Sequence, residues 1–379
     1  MRLPDSFLVD GVSWPLRRAW PRTEDVCPLE LQQPGRDPVV GQWFASPEDA
    51  RRERGRTPGA RDGDDLRLVL QPDGADRRLP GLAPMLQDGA QLLAHRPGRR
   101  AVVRMLSGRY VKVTRSGRAG ALDAKHRLLA GLVAGLADVP EVLDVTEDRV
   151  VLAAVPGMTP LELPDGGRAV WRRTWQQVGA VLTQLAAAQP EGLPVHDAHA
   201  EAEVARSWVA RAVATGRLPA RDIDGPLVAL TDGARTATGV VHRDLHDGQL
   251  LVSDGRLGLL DPDTLAVAEP VLDLANLLVH LELRVAQGLL APDRARQAAA
   301  ILCRAADDAV PGTLARLPAY VRATRLRLAA VYSLRPRWHD LAFRWYDEVT
   351  ATASRSDRVG RFRTPGLAAD DSSFDSPLA

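Results

Sequence analysis

The clearest alternation of apolar and polar positions in the chain lies at Tyr110–Thr114, where Val111 and Val113 share one face and Tyr110 and Lys112 the other. Two apolar runs precede it, Ala90–His95 and Ala101–Leu106, separated by Pro97-Gly98 and followed by a turn at Ser107-Gly108-Arg109. The period then lengthens. From about Gly120 to Leu136, the residues Leu122, Leu128, Leu129, Leu132 and Leu136 form a helical stripe that Pro140 stops. Val142–Val145 and Arg149–Val155 return to strand spacing and end at Pro156-Gly157. Helical spacing governs the rest: Arg168–Ala188, Ala200–Ala214, and segments near 272–286, 292–306, 314–334 and 338–353. Before residue 89 the pattern is weak. Val39–Phe44 and Leu66–Leu70 read as short strands, the charged stretch from RRERGR to Asp65 as a mobile loop, and Leu82–Leu86 as a helical turn. The stretch from Thr364 onward, rich in Gly, Pro, Ser and Asp, reads as a disordered tail. By itself the pattern supports a small α+β domain followed by a mainly helical one.

Composition narrows the partners. A length of 379 residues suffices for two or three domains, and 45% hydrophobic with 26% charged residues describes a soluble globular protein. A net charge of +1 points to neither nucleic acid nor an acidic membrane. Cys27 and Cys303 make no disulfide framework, and no apolar run has the length of a signal core or a membrane span. These features suit a cytoplasmic protein, and they name no protein partner. Of 49 basic residues only Lys112 and Lys125 are lysines, so a chain that uses Arg almost throughout has kept a compact ammonium on the alternating strand.

The chemistry concentrates in residues 240–264, VVHRDLHDGQLLVSDGRLGLLDPDT. Val240 and Val241 deliver His242-Arg243-Asp244 onto a loop; Gln249 follows, then an apolar run, an Asp254-Gly255 pair suited to a type I′ turn, and a second run ending in Asp261. An acid, an amide and a second acid thus sit at the mouth of one hairpin. Phosphoryl transfer asks for one carboxylate to orient a hydroxyl, and for an amide plus a carboxylate to hold metal on nucleotide phosphates. The spacing resembles the kinase catalytic loop, and is most similar to the aminoglycoside phosphotransferase and choline kinase-like family of small-molecule kinases, which read H-x-D-x-H-x-x-N and in some members carry Gln last. Asp261-Pro262-Asp263 lacks the Gly of D-F-G, as that family does, and EPVLDLANLL with Asp273 matches its following segment.

The resemblance implies a two-lobed, protein-kinase-like α+β fold. Residues 1–88 would form an N-terminal extension, 89–158 a small β-rich nucleotide lobe, 159–363 a larger, mainly helical lobe carrying the hairpin, and 364–379 the tail. VLAAV before Pro156-Gly157 would be the inter-lobe hinge. Implied cofactors are ATP, or another nucleoside triphosphate, and Mg²⁺; the acceptor is a small-molecule hydroxyl. Asp244 is then the catalytic base or hydroxyl-orienting residue, against an Asp that merely caps a turn. Asp261 is a metal ligand, against a surface turn Asp. Gln249 ligates metal directly, acts through water or braces the loop. His242 supports the loop, and Arg243 pairs a loop carboxylate or faces solvent. Asp263 contributes to metal binding or caps a turn, and Asp273 anchors the loop. Lys112 matches the phosphate-binding lysine, against a solvated strand Lys.

Two departures stand out. The helix after Lys112 should offer a Glu to pair it, yet it contains only Asp123, with Asp138 beyond and Lys125 and His126 near the expected place; either Asp123 substitutes or Lys112 is positioned differently. Neither G-x-G-x-x-G nor a P-loop G-K-[ST] occurs, though Pro97-Gly98-Arg99-Arg100 offers backbone donors or an Arg. These departures motivate an alternative, a catalytically weak or inactive kinase-like nucleotide- or ligand-binding protein. From residue 274 onward 15 Arg face 11 acids, so a neutral or acidic acceptor is at least as well matched as a polycationic aminoglycoside. His196-Asp197-Ala198-His199 reads as a polar inter-helical loop.

Overall fold

The alternation around Lys112 does build a sheet. In the computed structural model, which describes residues 1–163, 167–234 and 238–353, Tyr110–Thr114 pairs antiparallel with Arg100–Arg104 on one side and Arg149–Leu152 on the other. Gln91–Arg96 and Val142–Val145 complete five strands. Val103, Val111 and Val113 face a buried layer with Leu79, Leu82 and Met85, while helix Ala119–Leu132 closes the other face over Val150 and Leu152. This is the small lobe of a two-lobed kinase fold.

The larger lobe is helical, from Arg168–Ala187 through Ala198–Ala214, Asp224–Asp232, Val271–Ala286, Pro292–Ala309 and Leu317–Ser333 to His339–Ala353. One continuous core joins Trp171 and Trp175 to Leu274, Leu277, Tyr320 and Tyr346. The hairpin Leu250–Ser253/Arg256–Leu259 takes Ala137–Asp138 as a parallel neighbour on its second strand, which is thus the middle of three. Asp254 (φ 49°) and Gly255 (φ 76°) adopt the two positive φ values that a type I′ turn needs. The segment after the small lobe docks on this hairpin: Met158 and Val252 exchange backbone hydrogen bonds of 3.2 and 2.8 Å. Gly157 makes that approach possible, because at φ 129° a Cβ would lie 2.8 Å from the carbonyl oxygen of Val252. Among the described residues no helix is long and apolar enough to cross a membrane. The expected tail, 364–379, lies outside the described residues.

Residues 1–88 depart most from the sequence reading. They form a six-stranded antiparallel sheet in which Ser6–Val9, Val12–Ala19 and Val26–Leu31 precede Val39–Phe44, and Leu68–Leu70 and Arg61–Asp62 complete the order. The charged RRERGR stretch is not a loop; it lies in helix Pro47–Arg56. The signals were local: Ser46 caps the helix by accepting from the Asp49 N–H at 3.1 Å, Pro47 occupies the first turn, Glu48 and Asp49 follow, and Arg54 and Arg56 sit in the last turn. One sheet face buries Phe7, Trp14, Leu29, Leu31 and Trp43, and Leu334 of the helical lobe completes that core. Backbone bonds tie the sheet down, from Leu3 N–H to Thr215 O (3.1 Å) and from Ala19 N–H to Leu334 O (3.0 Å). Arg22 reaches the other way and donates to Pro97 O in the first turn of the small lobe.

Candidate active site

Residues 242–244 leave strand Gly239–Val241, which pairs with Ala266–Ala268, and enter a loop with few regular backbone partners. Asp273, fully buried in the first turn of its helix, supplies them: its carboxylate accepts from His242 N–H (2.5 Å) and Arg243 N–H (2.8 Å). Burial pushes the Asp273 carboxyl up from its usual range, against the pull of His242 and the two N–H donors. Asn276 donates to Arg243 O at 2.9 Å, Thr264 Oγ1 to His242 O at 2.7 Å, and the His242 ring pairs with Leu260 O at 2.8 Å. Arg243 sits at φ 69°, an unfavourable left-handed conformation held by these bonds. Its side chain reaches Thr264 O at 3.4 Å and feels Glu201 and Asp273. The half-buried carboxylate of Asp244 projects from this frame, and its charge acts on Arg100, Arg243 and His246.

Lys112 Nζ lies 2.6 Å from both Asp261 Oδ1 and Asp263 Oδ1. Arg100 Nη1 donates to Asp263 Oδ2 at 2.5 Å, and Lys125 Nζ to Asp263 O at 2.7 Å. Both lysines of the chain therefore converge on one residue. Asp261 adopts φ 57°, ψ 58° immediately before Pro262, turning its carboxylate back toward Lys112. Burial disfavours charge on Asp261, yet Lys112 and Arg100 outweigh it and hold this carboxyl well below the usual range. Asp263, buried and beside the charge of Asp261, is pushed up.

The helix that should supply an acid supplies His126 instead, with Nε2 3.5 Å from Lys112 Nζ. Burial and the ammonium lower His126 to about 4, so it is neutral at physiological pH. Asp123 pairs with Arg127 at 2.6 Å rather than with Lys112. Of the two readings of the absent Glu, the structure shows the second: Lys112 is positioned by the two aspartates after the hairpin. Gln249 ends the short helical turn Asp247–Gln249, half-buried, and its backbone O accepts from Leu260 N–H at 2.9 Å.

Several supports were not singled out from the sequence. His246 accepts from Gly248 N–H at Nδ1 (3.0 Å) and stacks on His280 with ring centroids 4.6 Å apart. Asp247 joins the two imidazoles in a cluster of metal-binding residue types within 4.8 Å, but Arg284 already holds its carboxylate at 3.0 and 3.1 Å. Asn276 had a usable signal, since it lies three residues after Asp273 and so on the same helix face. His196 and Glu201 pair at 2.8 Å and Asp197 caps helix Ala198–Ala214, which accounts for that polar cluster.

The two carboxylates after the hairpin fit a divalent cation on the chemistry of the donor set, hard oxygen donors side by side and partly buried, which here pair with Lys112 and Arg100. The model of the phosphotransferase enzyme family matches residues 92–310, more than half of the chain. Several solved structures are similar, and one of them, the amicoumacin kinase below, is similar enough to share the fold. An aminoglycoside phosphotransferase from Streptomyces rimosus is 20% identical, with TM-score 0.47, over 66% of this chain and 98% of its own. A macrolide 2′-phosphotransferase from Brachybacterium faecium is 20% identical, with TM-score 0.42, over 68% and 98%. An amicoumacin kinase solved with AMP-PNP and Ca²⁺ is 11% identical, with TM-score 0.51, over 69% and 88%. A search of curated protein sequences gave no match.

Proposed function

The chain belongs to the phosphotransferase enzyme family, and on that premise we propose that it moves the γ-phosphoryl group of ATP, or another nucleoside triphosphate, to a hydroxyl of a small molecule in the cytoplasm. Asp244 accepts a hydrogen bond from the acceptor hydroxyl and takes its proton as the new O–P bond forms and the bond to the β-phosphate oxygen breaks. Asp261 and Asp263 would hold Mg²⁺, with the side-chain carbonyl oxygen of Gln249 as a third donor, and the cation, when bound, would supply positive charge against the nucleotide phosphates. Lys112 and Arg100 keep positive charge beside those carboxylates, so incoming phosphates meet ammonium and guanidinium donors in place. Asp273 and Asn276 position Asp244 by fixing the backbone around it.

The observation that carries this reading is the convergence of Lys112, from the small lobe, on Asp261 and Asp263, from the large one, with Asp244 projecting close enough for its charge to reach Arg100. Turnover of Mg-ATP by the native protein and by Asp244→Asn tests it. Loss of turnover by about 10²–10⁴-fold is expected, with nucleotide binding kept. Equal turnover in both proteins overturns the assignment of Asp244, and absence of turnover in the native protein leaves the chain as a kinase-like binding protein.

A further inference from the structure

Arginines crowd where the N-terminal sheet, the first turn of the small lobe and the helical lobe meet. Arg18 and Arg96 both lie over Trp20, at 4.8 and 5.4 Å from its ring. Arg22 is tied to Pro97 O, and Arg115 donates to Gly98 O at 2.8 Å. Arg335 stacks on Tyr332 at 4.1 Å, and Arg211 is near enough to Arg99 to repel it. Anionic compensation is thin. Glu30 is shared between Arg17 and Arg18, Asp76 is taken by His95 and the N–H groups of Gly98 and Arg78, and Asp263 is taken by Lys112 and Arg100. Among the described residues Arg96, Arg99 and Arg335 make no ion pair.

The electrostatic cost is visible in the same groups. Burial lowers Arg96 to about 9 and Arg22 to about 10, and neighbouring guanidiniums add to it; Arg99 and Arg335 shift the same way. Partly desolvated like charges are costly to gather, and an oxyanion that accepts their forked donors relieves the repulsion. The cluster also has a place relative to the chemistry. Arg99 and Arg100 are consecutive, and Arg100 holds Asp263. From the catalytic loop, Asp247 leads through Arg284 and Tyr332 to Arg335, which faces Arg18.

Resting on the phosphotransferase reading, we propose that the acceptor is itself an anion: a hydroxyl-bearing small molecule whose carboxylate or phosphate group is bound by Arg96, Arg99 and Arg335 under the N-terminal sheet. Lys112 and Arg100 serve the nucleotide, and Arg96, Arg99 and Arg335 serve the acceptor. A polycationic aminoglycoside would meet repulsion at this surface.

Calorimetric titration tests this. AMP-PNP with Mg²⁺ is titrated first, and its failure to bind would overturn the phosphotransferase reading alone. Glucose 6-phosphate, glucuronate, glucose and kanamycin are then titrated into nucleotide-saturated protein, or into free protein if the nucleotide does not bind. At least one of the two anions binds about tenfold or more tighter than glucose, the preferred one distinguishing phosphate from carboxylate recognition, and kanamycin does not bind. Arg96→Gln and Arg335→Gln, checked for intact melting, each weaken the anion about tenfold. Tighter binding of kanamycin, absence of anion binding, or anion affinity unchanged in both variants would overturn the proposal.

Discussion

Lys112 was legible because it stands on an alternating strand in a chain that otherwise uses Arg, and Asp244 and Asp261 because their spacing implies one hairpin. The partner of Lys112 was not legible, because it arrives from 149 residues away. The imidazole of His126 stands where an acid was expected, and its neutrality is a consequence of burial beside an ammonium. That has a measurable sign. The folded state holds His126 near 4 and the unfolded state near the ordinary 6.5, so the unfolded chain binds the extra proton between those values. The stability this contributes is complete above pH 6.5 and is lost as pH falls toward 4, by up to about 3 kcal/mol. His126→Gln is therefore expected to flatten the plot of melting temperature against pH within that window. His246 and His280, also lowered by burial, leave a residual slope of the same sign. Superimposable plots for the two proteins would show that His126 does not titrate this way.

At the scale of elements, one helix start organises the loop that carries the chemistry. Asp273 and Asn276, one turn apart, hold three backbone groups of His242 and Arg243. Asp273→Asn would turn one N–H acceptor into a donor and remove the charge, which costs about 2–4 kcal/mol. Because the same bonds hold Arg243 in its left-handed conformation, kcat is expected to fall at least about tenfold, with the affinity for nucleotide changed far less. A melting point that drops while kcat stays constant would confine Asp273 to a purely structural role. Local chemistry also explains where the sequence reading failed. Helix Pro47–Arg56 was hidden by charge, although its capping residues were in plain order. Strand Val26–Leu31 was hidden by Pro28 and by Glu30, which is buried only because Arg17 and Arg18 come from the neighbouring strand to meet it. Cys27, Leu29 and Leu31 share the core face, and pairing buries Glu30 on the other.

For the whole molecule, the two lobes could be outlined from periodicity and a motif, whereas the third body could not. The N-terminal sheet completes its core with Leu334 and bonds to both lobes, contacts with no local signature. Leu334 is fully buried, so Leu334→Ala is expected to cost about 2–5 kcal/mol. Hydrogen exchange should then speed up most in strands Val12–Ala19 and Val26–Leu31, more than 300 residues away in sequence, about as much as around Leu334 itself. Exchange confined to the helical lobe would mean that the sheet folds independently of it.

That closure has a consequence for synthesis. A ribosome releases the N-terminal strands first, at about 5–20 residues per second. The leucine that seals their core, and the carbonyl that receives the Ala19 N–H, emerge only after most of the chain has been made. For tens of seconds the nascent sheet presents Phe7, Trp14 and Trp43 without their final cover. These strands are thus made long before the residue that completes their core.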